Sequence, residues 1–284
     1  MQTRNFFRTA LCVALFSVAV SAQPVKHELK LGRRVKEYDR YLLKTTYEST
    51  TQTKMFISDI LRGDTTEKLS VIFNAQCNVV SVTVDGQEKE KRLVIRDFRR
   101  ITQHDTVDLL PTGTKLRCWF SDSGSIYTVN DAPAPDSLYN ILNEVIKGEG
   151  GSRTGNVLDA KKPVAVGGTW KMNIPAFRKV LGPEMSKLMK KITGSVTFTS
   201  IDSSGAMPTA TVTARAEAPA FTMVFGDVPS KASLVADFSL VVPLDTRFPA
   251  VGITTSSTQR IKTAQGVARM ELEVSTKRSA LFLR

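Results

Sequence analysis

Val79-Val80-Ser81-Val82-Thr83-Val84-Asp85-Gly86 is the stretch that decides how this chain is read. Val80, Val82 and Val84 alternate with Val79, Ser81 and Thr83, the period of a strand with one face toward a core. Asp85-Gly86 follows, and Asp-Gly favours a two-residue hairpin turn because both positions need positive φ. The return segment is charge-rich from Glu88 to Arg92 before Leu93-Val94-Ile95. Further on, Leu116, Cys118 and Phe120 alternate with Lys115, Arg117 and Trp119, and a Ser-Asp-Ser-Gly-Ser turn at 121–125 leads into Ile126–Val129.

The same alternation returns late in the chain. Val196–Thr199 runs toward Ser203-Ser204-Gly205, and Thr209–Ala218 alternates small residues. Leu234, Ala236, Phe238, Leu240 and Val242 mark one buried face, and Met270, Leu272 and Val274 mark a final strand. Many short strands separated by turns define a mainly β protein of antiparallel, curved sheets. A sandwich, a half-barrel and two smaller sheets all fit this pattern.

Two or three amphipathic helices interrupt the strands. Asp136 or Ser137 caps a segment whose Leu138, Ile141, Leu142, Val145 and Ile146 fall at helical spacing, with Gly148 to end it. Gly148, Gly150, Gly151, Ser152 and Gly155 read as a flexible linker between an N-terminal half (23–150) and a C-terminal half (151–284). The second helical region, 175–192, opens on Pro175, where a missing N–H costs nothing. It breaks at Gly182-Pro183. Its Phe177, Val180, Leu181, Met185, Leu188, Met189 and Ile192 are expected to bury one side as an apolar cover over the sheet.

Residues 1–22 read as a secretory signal peptide. Arg4 and Arg8 form the positive region, Thr9–Val20 the apolar run, and Val20-Ser21-Ala22 the small-residue cleavage site before Gln23. Removing them leaves 262 residues, enough for one large β domain or two ordinary ones. The net charge then falls from +12 to +10 with the loss of the two arginines. Two cysteines remain, Cys77 and Cys118. In an exported chain they are expected to pair.

Catalytic motifs are not found. His27 and His104 lie far apart, and no serine elbow, Ser-x-x-Lys or phosphate-binding Gly-x-x-x-x-Gly-Lys run occurs. No catalytic residue, metal ligand or cofactor is assigned. Asp245 and Arg247 sit in a Pro-flanked loop that reads as a structural Asp–Arg turn.

The clearest bias is positive charge, in two groups. Lys89, Lys91, Arg92, Arg96, Arg99 and Arg100 form one, and Arg178, Lys179, Lys187, Lys190 and Lys191 the other. Both are candidate contacts for an anionic envelope polymer or membrane surface. Aromatic interleaving of the kind that binds single-stranded nucleic acid is sparse, and no specific nucleic-acid motif occurs.

Val164-Ala165-Val166-Gly167-Gly168-Thr169-Trp170 resembles an element of secreted bacterial β-rich proteins of unknown function, in which Val-x-x-Gly-x-x-Trp opens the second half. The helix at 136–147 and Val241-Val242-Pro243-Leu244-Asp245 are similar in placement. The resemblance implies a periplasmic, cell-envelope or secreted protein and carries no catalytic residues.

The leading expectation is a non-enzymatic envelope protein that binds a lipid, another apolar small molecule or a partner on its sheet. A module docking its basic face on an anionic surface is the alternative, and an enzyme of unknown type the third. N-terminal sequencing of exported protein should begin at Gln23, and a start at Met1 would remove the export reading.

Overall fold

The computed structural model describes residues 24–283 apart from 33–34, 85, 122–123, 147–150, 226, 246 and 249, without side chains at 151–154. The expected signal peptide and its cleavage position lie outside the described residues.

The chain forms β1 (Lys26–His27), β2 (Arg40–Ile57), β3 (Ile60–Val82), β4 (Glu88–Thr102), β5 (Thr106–Asp108), β6 (Lys115–Ser121), β7 (Gly124–Val129) and β8 (Ala132–Pro133). Helices α1 (Asp136–Ile146) and α2 (Gly151–Leu158) follow, then β9 (Val164–Ala165), β10 (Thr169–Lys171), α3 (Ile174–Leu181) and α4 (Pro183–Leu188). The chain ends in β11 (Thr193–Asp202), β12 (Thr209–Phe225), β13 (Val228–Pro243), β14 (Gly252–Gln265) and β15 (Ala268–Leu283).

Strands β1 and β9 form a small antiparallel pair; the others form one antiparallel sheet in the order β10-β11-β12-β13-β14-β15-β2-β3-β4-β6-β7-β8, with β5 beside β4. The sheet is not closed into a barrel. Each half of the chain is a meander, and the last strand, β15, pairs with β2 along its whole length.

Turn chemistry sets the long hairpins. Ser58 and Asp59 both take positive φ (50° and 62°) between β2 and β3, and Asn130 and Asp131 (49° and 69°) do so between β7 and β8. That backbone matches the twist of paired strands. The Asp85-Gly86 hairpin is one residue longer than expected. Thr83 donates to the Gln87 carbonyl at 2.8 Å, so the loop spans 84–86, with Gly86 at φ 75°. In the alternation before it, Val79 is buried and Val84 is exposed.

The sheet's inner face carries three apolar clusters. At one end α1 buries Leu138, Leu142, Val145 and Ile146 against Leu43, Phe73, Ile95 and Leu116. At the other, α2 and α3 cover Val196, Phe198, Val212, Leu240 and Val242 through Val157, Leu158 and Phe177. Trp170 is half-buried there and donates its indole N–H to the Leu158 carbonyl at 2.7 Å, satisfying the C-terminal end of α2. The third cluster lies beneath α4.

Three expectations are corrected by this arrangement. The glycine-rich stretch is not a linker from 151 onward, because Gly151–Leu158 is helical and packs Val157 and Leu158 into the core. A Cβ on Gly155 would stand 2.9 Å from the backbone of Gly32, so this glycine serves close approach rather than flexibility.

The Cys77–Cys118 bridge is absent. Cys77 on β3 pairs with Leu93, and Cys118 on β6 pairs with Lys91, leaving β4 between them. Two strand spacings are about 9–10 Å, beyond the ~7 Å Cα separation that a disulfide tolerates.

In the cover, Phe177 and Met189 are buried and Leu181 and Met185 half-buried, but Val180 and Leu188 face solvent. Gly182, at φ 84°, separates two short helices, so a single helical period does not run through both.

Gly155→Ala should lower stability by about 1–2 kcal/mol in urea denaturation, since overpacking against Gly32 outweighs alanine's better helix propensity. A stabilised variant would contradict the close-approach reading.

Candidate ligand-binding face

Register places an apolar, methionine-rich strip on the inner face between the two ends. Phe221 pairs with Ala232, Ala232 with Ile261, and Ile261 with Leu272 across β12, β13, β14 and β15. Met189 and Met185 of the α4 region, with Met223, join this cluster. Two residues from Leu272 toward the hairpin tips, Met270 pairs with Met55, whose side chain lies over Gly63.

Of the eight methionines in the chain, five therefore lie along one strip. Methionine's unbranched, polarizable side chain adapts to irregular apolar partners. The strip opens toward the tip of the β2–β3 hairpin, where Met55 is 52% and Ile57 48% exposed. Helix α4 borders it on the β12 side, and α1 packs on β2 and β7 at the far end.

Between the helices the inner face is hydroxylated. Ser257 and Thr276 share a 2.8 Å hydrogen bond, and Arg278 reaches up to donate to the Val145 carbonyl of α1 at 3.0 Å. Tyr47 projects from the same face. Burial, and secondarily the nearby Glu144 carboxylate, hold its phenol above the ordinary range.

The outer face of β11–β14 is polar. A cleft of about 330 Å³ is lined by Thr197, Thr213, Arg215, Asp237, Ser239 and Thr254, among others. Arg215 spans Glu217 at 2.5 Å and Asp237 at 3.2 Å there. Serine and threonine side chains make up much of its lining, and it lies on the face opposite the helices.

The two basic groups do not meet. Lys89, Arg92 and Arg96 are exposed along β4, while Arg178 and the α3–α4 lysines sit over the inner face at the other end of the sheet. Arg178 is engaged internally, donating to the Ser186 and Lys190 carbonyls at 2.8 Å each. Lys187 pairs with Glu184, whereas Lys179, Lys190 and Lys191 are exposed. Arg99 pairs with Asp97, and Arg100, on the inner face, with Asp105.

Lys91 is removed from the surface altogether. Its inward position on β4 leaves it fully buried, 3.1 Å from Glu88 and 5.3 Å from the Phe120 ring centroid. Glu88 also accepts from the Tyr41 hydroxyl at 2.6 Å. Beside this pair, Tyr127 donates to Asn143 of α1 at 3.0 Å, and burial drives its phenol well above the ordinary range.

The Asp245–Arg247 turn is structural, as expected. The arginine binds the carboxylate through its backbone N–H, Nε and Nη2, and those bonds lower Asp245 to about 2. Among the described residues no group of three or more metal-ligating side chains forms, and no helix is long and apolar enough to cross a membrane.

No family model matches the chain, and comparison with curated proteins returns no match. Among solved structures, a lipovitellin structure concerned with lipid–protein interactions is 9% identical over 86% of this chain, with a TM-score of 0.37. The chain spans 25% of that protein's length. An outer membrane channel from Pseudomonas putida F1 is 8% identical over 88% of this chain and 97% of its own, at 0.22. DynF from the dynemicin pathway of Micromonospora chersina is 8% identical over 95% and 92%, at 0.17.

Sequence patterning singled out Met185 and Met189 but missed Met55 and Met223. Their grouping arises from cross-strand register, which no local pattern encodes. Lys91 was missed as a buried residue because Glu88–Arg92 reads as a solvated charge run.

Lys91→Ala should destabilise the protein by about 3–5 kcal/mol by leaving the Glu88 charge buried. The double variant Lys91→Met with Glu88→Gln should recover most of that loss in urea denaturation. Equal losses in both variants would remove the ion pair as the cause.

Proposed function

We propose that this protein is a non-enzymatic binder of an apolar ligand, acting in the cell envelope. The methionine-rich strip carries this reading: Met223, Ile261 and Leu272 cluster beneath α4, and Met270, two residues along β15 from Leu272, pairs with Met55 beside the open hairpin tip. Soluble proteins seldom leave such a track open unless something occupies it. A lipid acyl chain or similarly slender apolar molecule fits a track bounded by strands on one side and a short helix on the other.

Helices α3 and α4 supply the cover. They meet at Gly182, whose φ of 84° suits glycine and whose Cβ position faces open space. Met185 and Met189 reach down from this cover while its lysines face water. Re-packing of flexible methionine side chains lets the cover close over ligands of differing shape. Export of the protein follows from the reading of residues 1–22 as a signal peptide.

A fluorescent long-chain fatty acid analogue tests the site directly. The natural chain should bind it, and Met55→Asp with Met270→Asp should weaken binding at least about tenfold. Met55→Leu with Met270→Leu should retain it. Thr254→Phe, which fills the outer cleft, should leave it unchanged. Binding that survives the aspartates in a natively folded variant, or that is lost with Thr254→Phe, would move the ligand off the strip.

A further inference from the structure

The outer face of β15, β2, β3, β4, β6 and β7 carries a second, chemically different surface. Inner positions on these strands hold Tyr41, Leu43, Cys77, Val79, Leu93, Leu116 and Cys118, so their neighbours in sequence project outward. Register aligns those neighbours in rows. Arg40, Asn78, Arg92, Arg117 and Thr128 form one row across five strands. Leu283, Leu42, Gln76, Val94 and Lys115 form the next, and Leu281, Lys44, Asn74 and Asp97 the one after.

Positive charge dominates this face. Arg40, Lys44, Arg92, Arg96 and Lys115 are exposed and Arg117 is half-exposed. Arg96 reaches across to Gln76 at 2.9 Å. The carboxylates among them are already matched: Glu90 binds Arg117 at 2.6 Å, and Asp97 pairs with Arg99 at 3.4 Å.

Apolar side chains stand on the same face instead of turning inward. Leu281 is 49%, Leu283 42%, Val94 40% and Ile126 62% exposed. Trp119, paired with Ile126, lies under the Arg117 guanidinium at 4.2 Å.

We infer that this outer face docks on an anionic phospholipid bilayer. A soluble polyanion rewards the arginines and lysines but gains nothing from exposed leucines. A bilayer rewards both, because cationic heads sit among lipid phosphates while leucine, valine and tryptophan enter the interfacial layer. The face and the methionine strip lie on opposite sides of the sheet, so docking here is independent of apolar-ligand binding there.

Co-sedimentation of the purified chain with vesicles tests it. Binding to phosphatidylcholine vesicles containing phosphatidylglycerol should be strong, fall with salt, and be nearly lost on phosphatidylcholine alone. Arg40→Gln with Arg92→Gln should weaken it about 25-fold, near fivefold for each charge. Leu281→Ser with Leu283→Ser should weaken vesicle binding while leaving retention on heparin unchanged.

Equal binding to both vesicles, no binding to either, or indifference to the arginine pair would overturn the inference. A leucine pair that matters to neither vesicles nor heparin would assign the face to a soluble polyanion and overturn it as well. Far-UV circular dichroism of each variant establishes that the fold is kept. Fatty-acid binding by the same variants should be unchanged, which separates failure here from failure of the ligand reading.

Discussion

The ladder between β2 and β15 holds the molecule together. It pairs Ala268 with Ile57 at one end and Leu283 with Leu42 at the other, without interruption. Each half of the chain is a meander that finds its own neighbours locally, and this ladder alone turns the two meanders into one sheet. Its apolar contacts lie toward its two ends, where Phe282 meets Tyr41 edge-on at 5.7 Å and Met270 pairs with Met55. Along its middle, Thr46, Ser49 and Thr50 face Ser279, Thr276 and Ser275. The join is therefore largely a backbone ladder, with each hydrogen bond adding about 0.5–1.5 kcal/mol net. Its partners lie at opposite ends of the chain, so loop closure must be paid before pairing brings any return.

That construction explains why the apolar clusters stand apart. Each meander builds its own core at its own end, closed by its own helices: α1 over the N-terminal strands, α2 and α3 over the C-terminal ones. The joining strands carry small hydroxyl residues that pair with one another and do not require burial. Where those strands run past the reach of α1 and α4, the inner face becomes apolar again but stays open. The methionine strip is the consequence of a sheet longer than its helices can cover.

Local physics was legible in the sequence. Alternation from Leu116 to Phe120 and from Leu234 to Val242 located buried strands, and Asp136 with Leu138, Leu142, Val145 and Ile146 located α1. The Asp245–Arg247 turn and the core role of Trp170 followed from their immediate neighbours. What escaped was whatever depends on the opposite strand. Arg40, Arg92 and Arg117 form a row because three registers coincide, and Met55 meets Met270 only through the closing ladder. Cys77 and Cys118 read as partners because an exported chain that keeps two cysteines can join them; an intervening strand, invisible in spacing, keeps them apart. Gly155 looked like flexibility because glycine signals a loop unless something lies against its missing side chain, and here Gly32 does.

The length of β2 gives the two faces their independence. Arg40 and Met55 lie at opposite ends of one strand, about 50 Å apart at the usual rise per residue, and project to opposite faces. A surface that engages Arg40, Lys44 and Leu281 would leave the hairpin tip around Met55 and Ile57 clear. Because β2 is paired on both sides from Leu42 to Ile57, and with β3 from Arg40 onward, bending it between Leu42 and Ile57 would break ladder bonds with β3 and β15 together. The separation is therefore held rigidly. Charge at one end and an adaptable apolar track at the other are fixed by a single continuous element, so events at the outer face have no route to the strip through local flexing of that strand.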